Sequence, residues 1–271
     1  MSDAALPIAV FDSGVGGLTV LRALRAEMPE EDFIYLGDTA RLPYGTKSAD
    51  TVCRYALQAS ALLVDRGVKC LVVACNTASS VALPALDARF GPLPVVGVIE
   101  PGASAAVRAS GTARVAVIAT EGTVRGNAYP RAIARIRPDV EVIQRACALF
   151  VSLAEEGWTD GPIAEAVACR YLEPLFRAEK PPDTLLLGCT HFPALMAPIR
   201  RVLGERVRIV DSAATTAEAT DACLSSLGLR RRSGIGSVHL AATDGPERFA
   251  RVGSIFSGEP INPDDVELLD L

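Results

Sequence analysis

Much that would classify this sequence at a glance is missing from it. No stretch of 18 or more residues is continuously apolar, so neither a membrane-spanning helix nor a membrane partner is expected. The opening residues, "MSDAALPIAVFDSG", carry neither a basic segment nor a long apolar run before the first glycine turn. No signal peptide is therefore expected, and the protein is placed in the cytoplasm. Clustered positive charge is scarce: the net charge is −5, and Arg230, Arg231 and Arg232 form the only basic run, read as a solvated turn. A nucleic-acid partner, which needs Lys and Arg gathered against phosphate, is not expected. None of the seven cysteines stands in a C-x-x-C pair, so a structural zinc site has little support. The glycine-rich "DSGVGGLTV" lacks the G-x-G-x-x-G spacing, and no G-x-x-x-x-G-K-[ST] occurs, so neither nucleotide fingerprint is met. Gly14, Gly16 and Gly17 read instead as a tight strand-to-helix turn close to a bound molecule.

What is present is a rhythm. Hydrophobic residues make up 49% of 271, enough for a packed core in one large domain or two ordinary ones. Strand candidates are "PIAVF", "DFIYLG", "CLVVAC", "PVVGV", "RVAVIA", "VEVIQR", "TLLLGC" and "RVRIV". Helix-period segments at 16–28, 48–66, 122–137, 160–179 and 191–203 fall between them. Alternation of this kind predicts α/β units around mostly parallel, doubly wound sheets.

Two echoes suggest two similar domains. "LVVACNTASS" (71–80) is matched by "LLLGCTHFPA" (185–194), and "IAVFDSG" (8–14) by "VAVIATEG" (115–122). The spacing from Ser13 to Cys75 is 62 residues and from Thr120 to Cys189 it is 69. The division expected is 1–98 plus 210–271 for the first domain and 99–209 for the second. "VVGVIEPG" serves as the crossover, interrupted by Pro101 and Gly102, and Asp211 or Ser212 caps a helix on the return. The tail from about Gly234 reads as strand-poor and packed against the first half. Ligands bind beyond the carboxyl ends of strands in open α/β sheets, so the four polar turns would ring one cleft. These turns carry Asp12–Ser13, Cys75–Thr77, Thr120–Thr123 and Cys189–His191.

In the cytoplasm all seven cysteines are expected as free thiols. Cys53, Cys70, Cys147, Cys169 and Cys223 sit in apolar contexts and read as buried and inert. Cys75 and Cys189 are followed directly by polar residues. Two opposed thiols can remove an α-proton from one face of an amino acid and return it to the other, one acting as base and the other as acid. A free thiol ionises near ~8.5, within reach of modest tuning. His191 stands two residues after Cys189, and Asp12 is placed to assist Cys75. His239, in "SVHLAA", reads as a packed or surface residue.

"VFDSGVGGLTVL", "YLGDTARLPYG", "VVACNTASS" and "LLLGCTHFPAL" resemble, in this order, the glutamate racemases, and the likeness runs on to "VDSAATTAEA". The resemblance implies a racemase without cofactor that interconverts L- and D-glutamate, the D-isomer entering peptidoglycan. It implies two α/β domains with the active site between them, and a homodimer. It makes Cys75 the acid/base for the D-enantiomer and Cys189 that for the L-enantiomer, assisted by Asp12, His191 and an acidic helper that is Glu155 or Glu156. Ser13, Pro43, Tyr44, Gly45, Asn76, Thr77, Thr190, Thr120 and Thr123 match substrate-holding positions. The chain departs from the family at Ser152, where proline is commoner, and at Ala119, where glycine is. Related aspartate racemases tend to carry glutamate at the place of His191. The rival readings are a racemase for aspartate or a hydantoin, a Cys–His hydrolase using Cys189 as nucleophile, and a two-domain amino-acid-binding module.

Overall fold

The computed structural model describes residues 3–271. Along the first part run β1 (Ile8–Asp12), α1 (Leu18–Glu27), β2 (Phe33–Gly37), α2 (Ala49–Val64), β3 (Cys70–Val73), α3 (Asn76–Phe90) and β4 (Val95–Gly97). Then follow α4 (Ile99–Ala109), β5 (Arg114–Ala119), α5 (Glu121–Gly126), α6 (Ala128–Ile136), β6 (Glu141–Ala146), α7 (Ala148–Glu155), α8 (Gly161–Phe176), β7 (Thr184–Gly188), α9 (Met196–Leu203) and β8 (Arg208–Asp211). The chain closes with α10 (Ser212–Ser226), β9 (Val238–Ala242), α11 (Pro246–Ser257) and β10 (Val266–Leu268).

The strands form two sheets, ordered β10-β9-β2-β1-β3-β4 and β6-β5-β7-β8, and every pairing is parallel. The α/β class and the parallel sheets expected from the strand rhythm are what the molecule has. All eight strand candidates form strands. β1, β3 and β7 are buried along their whole length, as continuous apolar runs covered on both faces must be. Each fully buried Val, Leu, Ile or Phe in them contributes roughly 1.5–3 kcal/mol of transfer free energy. The echo also reappears as topology, because β2-β1-β3-β4 and β6-β5-β7-β8 are the same order laid twice.

Several expectations are corrected. The tail is not strand-poor: β9 pairs with β2 and β10 with β9, extending the first sheet by two strands. Pro101 and Gly102 do not interrupt a crossover but lie inside α4, where an early proline costs no hydrogen bond. The single helix expected over 122–137 is two, broken at Asn127, whose φ of 49° is left-handed. The helix expected over 191–203 begins as a 3₁₀ turn, Phe192–Leu195. Asp211, not Ser212, caps α10, its side chain accepting from the Ala213 amide. β8 stays in the second sheet through Asp211, so the sequence-based division at 209/210 falls inside it. Arg230 and Arg231 are no solvated turn. The Arg230 side chain is 8% exposed and pairs with Asp221 and Glu30, while Arg231 pairs with Asp32. Of the five cysteines read as buried, only Cys70 and Cys147 are; Cys53, Cys169 and Cys223 are half-buried. His239 is at the surface, paired with Glu267.

Candidate active site

The carboxyl ends of both sheets open on one cavity of about 260 Å³. That is just below the roughly 300–1,000 Å³ of sites for drug-sized ligands, and suits a small metabolite. Cys75, Cys189, Ser13, Pro43, Tyr44, Gly45, Asn76, Thr77, Thr120, Thr190, His191 and Glu155 all line it. Asp12 and Thr123 do not; both lie just beneath the surface, 1% and 0% exposed. Glu156 faces solvent, so of the two adjacent glutamates Glu155 is the one at the site; Glu121, at the start of α5, is a second acidic residue lining the cavity.

Cys75 comes from the first sheet. The chain leaves β3, and Cys75 caps α3, its Sγ accepting from the Ala78 amide at 3.4 Å. The Sγ also lies 3.3 Å from Ser13 Oγ. Burial and then the nearby Asp12 carboxyl push the thiol up to about 12. Asp12 ends β1; its Oδ2 accepts from the Gly14 amide at 2.9 Å, and Tyr35 donates to Gly14 O at 3.0 Å. Burial raises the Asp12 carboxyl above its ordinary value, against the pull of His191 and the turn amides.

Cys189 comes from the second sheet, directly after β7. His191 Nδ1 lies 3.8 Å from its Sγ, and His191 Nε2 lies 3.1 Å from Glu155 Oε1, at the end of α7. Burial would lower the imidazole, but hydrogen bonds to Cys189 and Glu155 outweigh it and raise His191 to about 10. Burial would raise the Glu155 carboxyl, but His191 and Arg248 hold it below its ordinary value. Gly16 makes this geometry possible: a Cβ there would come within 2.4 Å of His191 Nδ1 and 2.5 Å of Thr190 Oγ1. The glycine turn of the first sheet is thus pressed against the His191 turn of the second.

The rest of the wall is built from hydroxyls and turns. Thr77 Oγ1 lies 2.9 Å from Thr120 Oγ1 and 3.3 Å from Thr123 Oγ1, joining α3 to α5. Tyr44 presents its ring to the cavity while its hydroxyl donates to Asp38. The buried Asp38 also accepts from Arg41 Nε at 2.7 Å and Thr243 Oγ1 at 3.0 Å, which ties the 38–46 loop down. Asn76 Nδ2 donates to Tyr129 OH at 2.8 Å, and among the described residues its buried Oδ1 has no partner. No lysine or arginine lines the cavity. An anionic group there would be met by hydroxyls and by free amides, those at the start of α3 among them, where the helix dipole also favours negative charge.

Sequence reasoning missed Asp38, Tyr129, Arg248 and the α7 face of Ala148, Val151 and Ser152. Ser152 stood out as a departure from the family pattern, but nothing in its own motif marked it as a cavity residue. Among the described residues no group of three or more His, Cys, Asp or Glu is arranged to hold a metal ion. No described helix is long and apolar enough to cross a membrane.

Residues 18–220 match the model of the Asp/Glu/Hydantoin racemase family. A glutamate racemase of Geobacter metallireducens is 53% identical over 252 residues, covering 93% of this chain and 92% of that protein. The crystal structure of a glutamate racemase from Thermus thermophilus in complex with beta-chloro-D-alanine superposes with a TM-score of 0.89 at 44% identity, covering 100% of this chain and 99% of that one. A glutamate racemase from Francisella tularensis in complex with D-glutamate gives 0.90 at 36% identity, covering 99% and 98%. The chain belongs to the Asp/Glu/Hydantoin racemase family, together with these glutamate racemases, and is an isomerase.

Proposed function

We propose that this protein interconverts L- and D-glutamate by passing the α-proton between Cys75 and Cys189. The carrying observation is that two thiols, delivered by equivalent strand ends of two sheets, line one small cavity, Cys75 beside the Ser13 hydroxyl and Cys189 beside the His191 imidazole. In the L-to-D direction Cys189, having given its proton to His191, takes the α-proton. The neutral Cys75 thiol then supplies a proton to the opposite face. In the return direction Cys75 is the base and its proton passes toward Asp12. For this the substrate ammonium offsets the burial that raises the Cys75 thiol. The substrate carboxylates are received by Ser13, Asn76, Thr77, Thr190 and the 44–45 turn, with Thr120 and Thr123 shaping the wall. Pro43 sets the approach to that turn.

Glutamate is favoured over aspartate or a hydantoin by the similar glutamate racemases and by His191 at the place of the aspartate enzymes' glutamate. A Cys–His hydrolase would leave Cys75 without a task. Two thiols suffice for the chemistry, so the reading is cofactor-independent. It extends to a cytoplasmic homodimer supplying D-glutamate for peptidoglycan. The test is circular dichroism of L-glutamate incubated with purified protein that has been freed of metal and pyridoxal. Decay of the signal to zero is expected; a persistent signal, with D-glutamate bound but no α-proton exchange in heavy water, would leave a binding module.

A further inference from the structure

A cation outside the cavity reaches the Cys189 partner chain. Glu155 accepts from His191 through Oε1, and its other oxygen, Oε2, accepts from Arg248 Nη2 at 2.8 Å. Arg248 does not line the cavity, and its side chain is 47% exposed. It belongs to α11, which is fixed to the first sheet by Phe249 packed at a tilt against Tyr35, ring centroids 6.0 Å apart, whereas Glu155 ends α7 beside the second sheet. The same helix supplies Phe256, whose ring meets the His191 imidazole edge-on at 4.9 Å. α11 therefore holds His191 twice, once by a ring and once through a carboxylate.

We propose that Arg248 is a positioning residue that fixes the tautomer of His191 and so makes it a proton acceptor for Cys189; this rests on the racemase reading above. A Glu155 carboxylate can only accept, so one imidazole proton stays on Nε2 and Nδ1 is the nitrogen that takes the proton of Cys189. With that proton on Nδ1 the ring is an imidazolium, in keeping with its raised value, and the charge on Glu155 meets it. A protonated Glu155 would reverse this, donating to Nε2 and forcing the proton onto Nδ1, where it blocks transfer from the thiol. Arg248 keeps Glu155 ionised and spends one of its two oxygens, leaving Oε1 for His191. The groups facing this pair are Arg248 from α11, Cys189 from the β7 turn, and the buried Asp12 across the Gly16 turn.

The test compares Arg248→Met, Arg248→Lys, Glu155→Gln and the Arg248→Met/Glu155→Gln double variant, each checked for native circular dichroism. In Arg248→Met the acidic limb of the kcat profile should move to higher pH. Racemisation should fall on the order of tenfold near pH 6 and less near pH 8, at almost constant KM. Arg248→Lys should restore most of the loss. In the Glu155→Gln background, where no carboxyl remains to be held, Arg248→Met should add nothing. An unmoved acidic limb, or losses that multiply in the double variant, overturns the inference while leaving a working racemase. A parent protein that does not racemise glutamate overturns the functional reading instead.

Discussion

Cys75 and Cys189 hold corresponding stations: each follows the strand that pairs with the central strand of its sheet, β3 beside β1 and β7 beside β5. Their surroundings differ, however. Cys75 has a serine hydroxyl and a helix amide, while Cys189 has a histidine backed by a carboxylate.

Replacing either thiol by a hydroxyl should therefore slow racemisation in both directions by about 10²–10⁴-fold, since the base of one direction is the acid of the other. In heavy water Cys75→Ser should still label L-glutamate at the α-carbon faster than D-glutamate, and Cys189→Ser the reverse. A near-parental rate in either variant would remove that thiol from the reaction.

Alkylation should inactivate through Cys75 or Cys189, with glutamate protecting. Total labelling will not report this, because Cys53, Cys169 and Cys223 are the more accessible thiols while the cavity pair is only 5% exposed at each residue. Peptide mass spectrometry against residual activity separates them. Inactivation that tracks Cys53 or Cys223 would contradict the assignment.

Gly16→Ala should cost activity before it costs fold. The new Cβ would meet the His191 ring and the Thr190 hydroxyl, side chains that can give way, so His191 is displaced from Cys189. A fall of at least roughly tenfold in kcat is expected, from the loss of an aligned acid/base partner. Parental kcat with a native melting curve would show that the His191 position is unimportant.

His191 links the site to stability. Its folded value, about 10, lies above the ordinary 6.5, so the stabilisation it supplies is full below the unfolded value and is lost as pH rises toward 10. Urea unfolding should decline more steeply between about pH 6.5 and pH 10 in the parent than in His191→Gln. Parallel declines would mean that the imidazolium is not held by Cys189 and Glu155.

Lys69 and Glu31 form an ion pair with both side chains fully buried, and Lys69 also donates to Ala4 O at 2.7 Å. Lys69→Met leaves an acid without its main counter-charge and should cost roughly 3–5 kcal/mol in urea unfolding, with the activity of the folded fraction unchanged. A cost below about 1 kcal/mol would show that Arg230, whose Nη1 lies 3.6 Å from Glu31 Oε1, alone compensates Glu31.

The strands were legible because a strand covered on both faces writes its burial as a continuous apolar run, as in "TLLLG". The two cysteines were legible because a polar turn breaks such a run at its carboxyl end. Arg248 was not, because an exposed arginine on an amphipathic helix looks the same whether or not a carboxylate from a distant helix meets it. Arg230 misled for a related reason: its burial comes from Asp221 and Glu30, nine and 200 residues away in sequence. β10 was missed because a three-residue edge strand buries little, and β9, although flanked by β2 and β10, is buried only at Ala241 and Ala242, so "VHLAA" and "VEL" lack the apolar run that marked the central strands.

The repeated strand order has a kinetic consequence for a reaction whose substrate and product are mirror images. In achiral solvent the two enantiomers have equal free energy, so the equilibrium constant is one and kcat/KM must be identical in the two directions. Two copies of one scaffold bring the two thiols to one cavity, yet their unequal partners cannot make a racemase prefer a direction. The inequality can show only as a trade: whichever enantiomer turns over faster must, in the same proportion, be the one that saturates the enzyme at higher concentration.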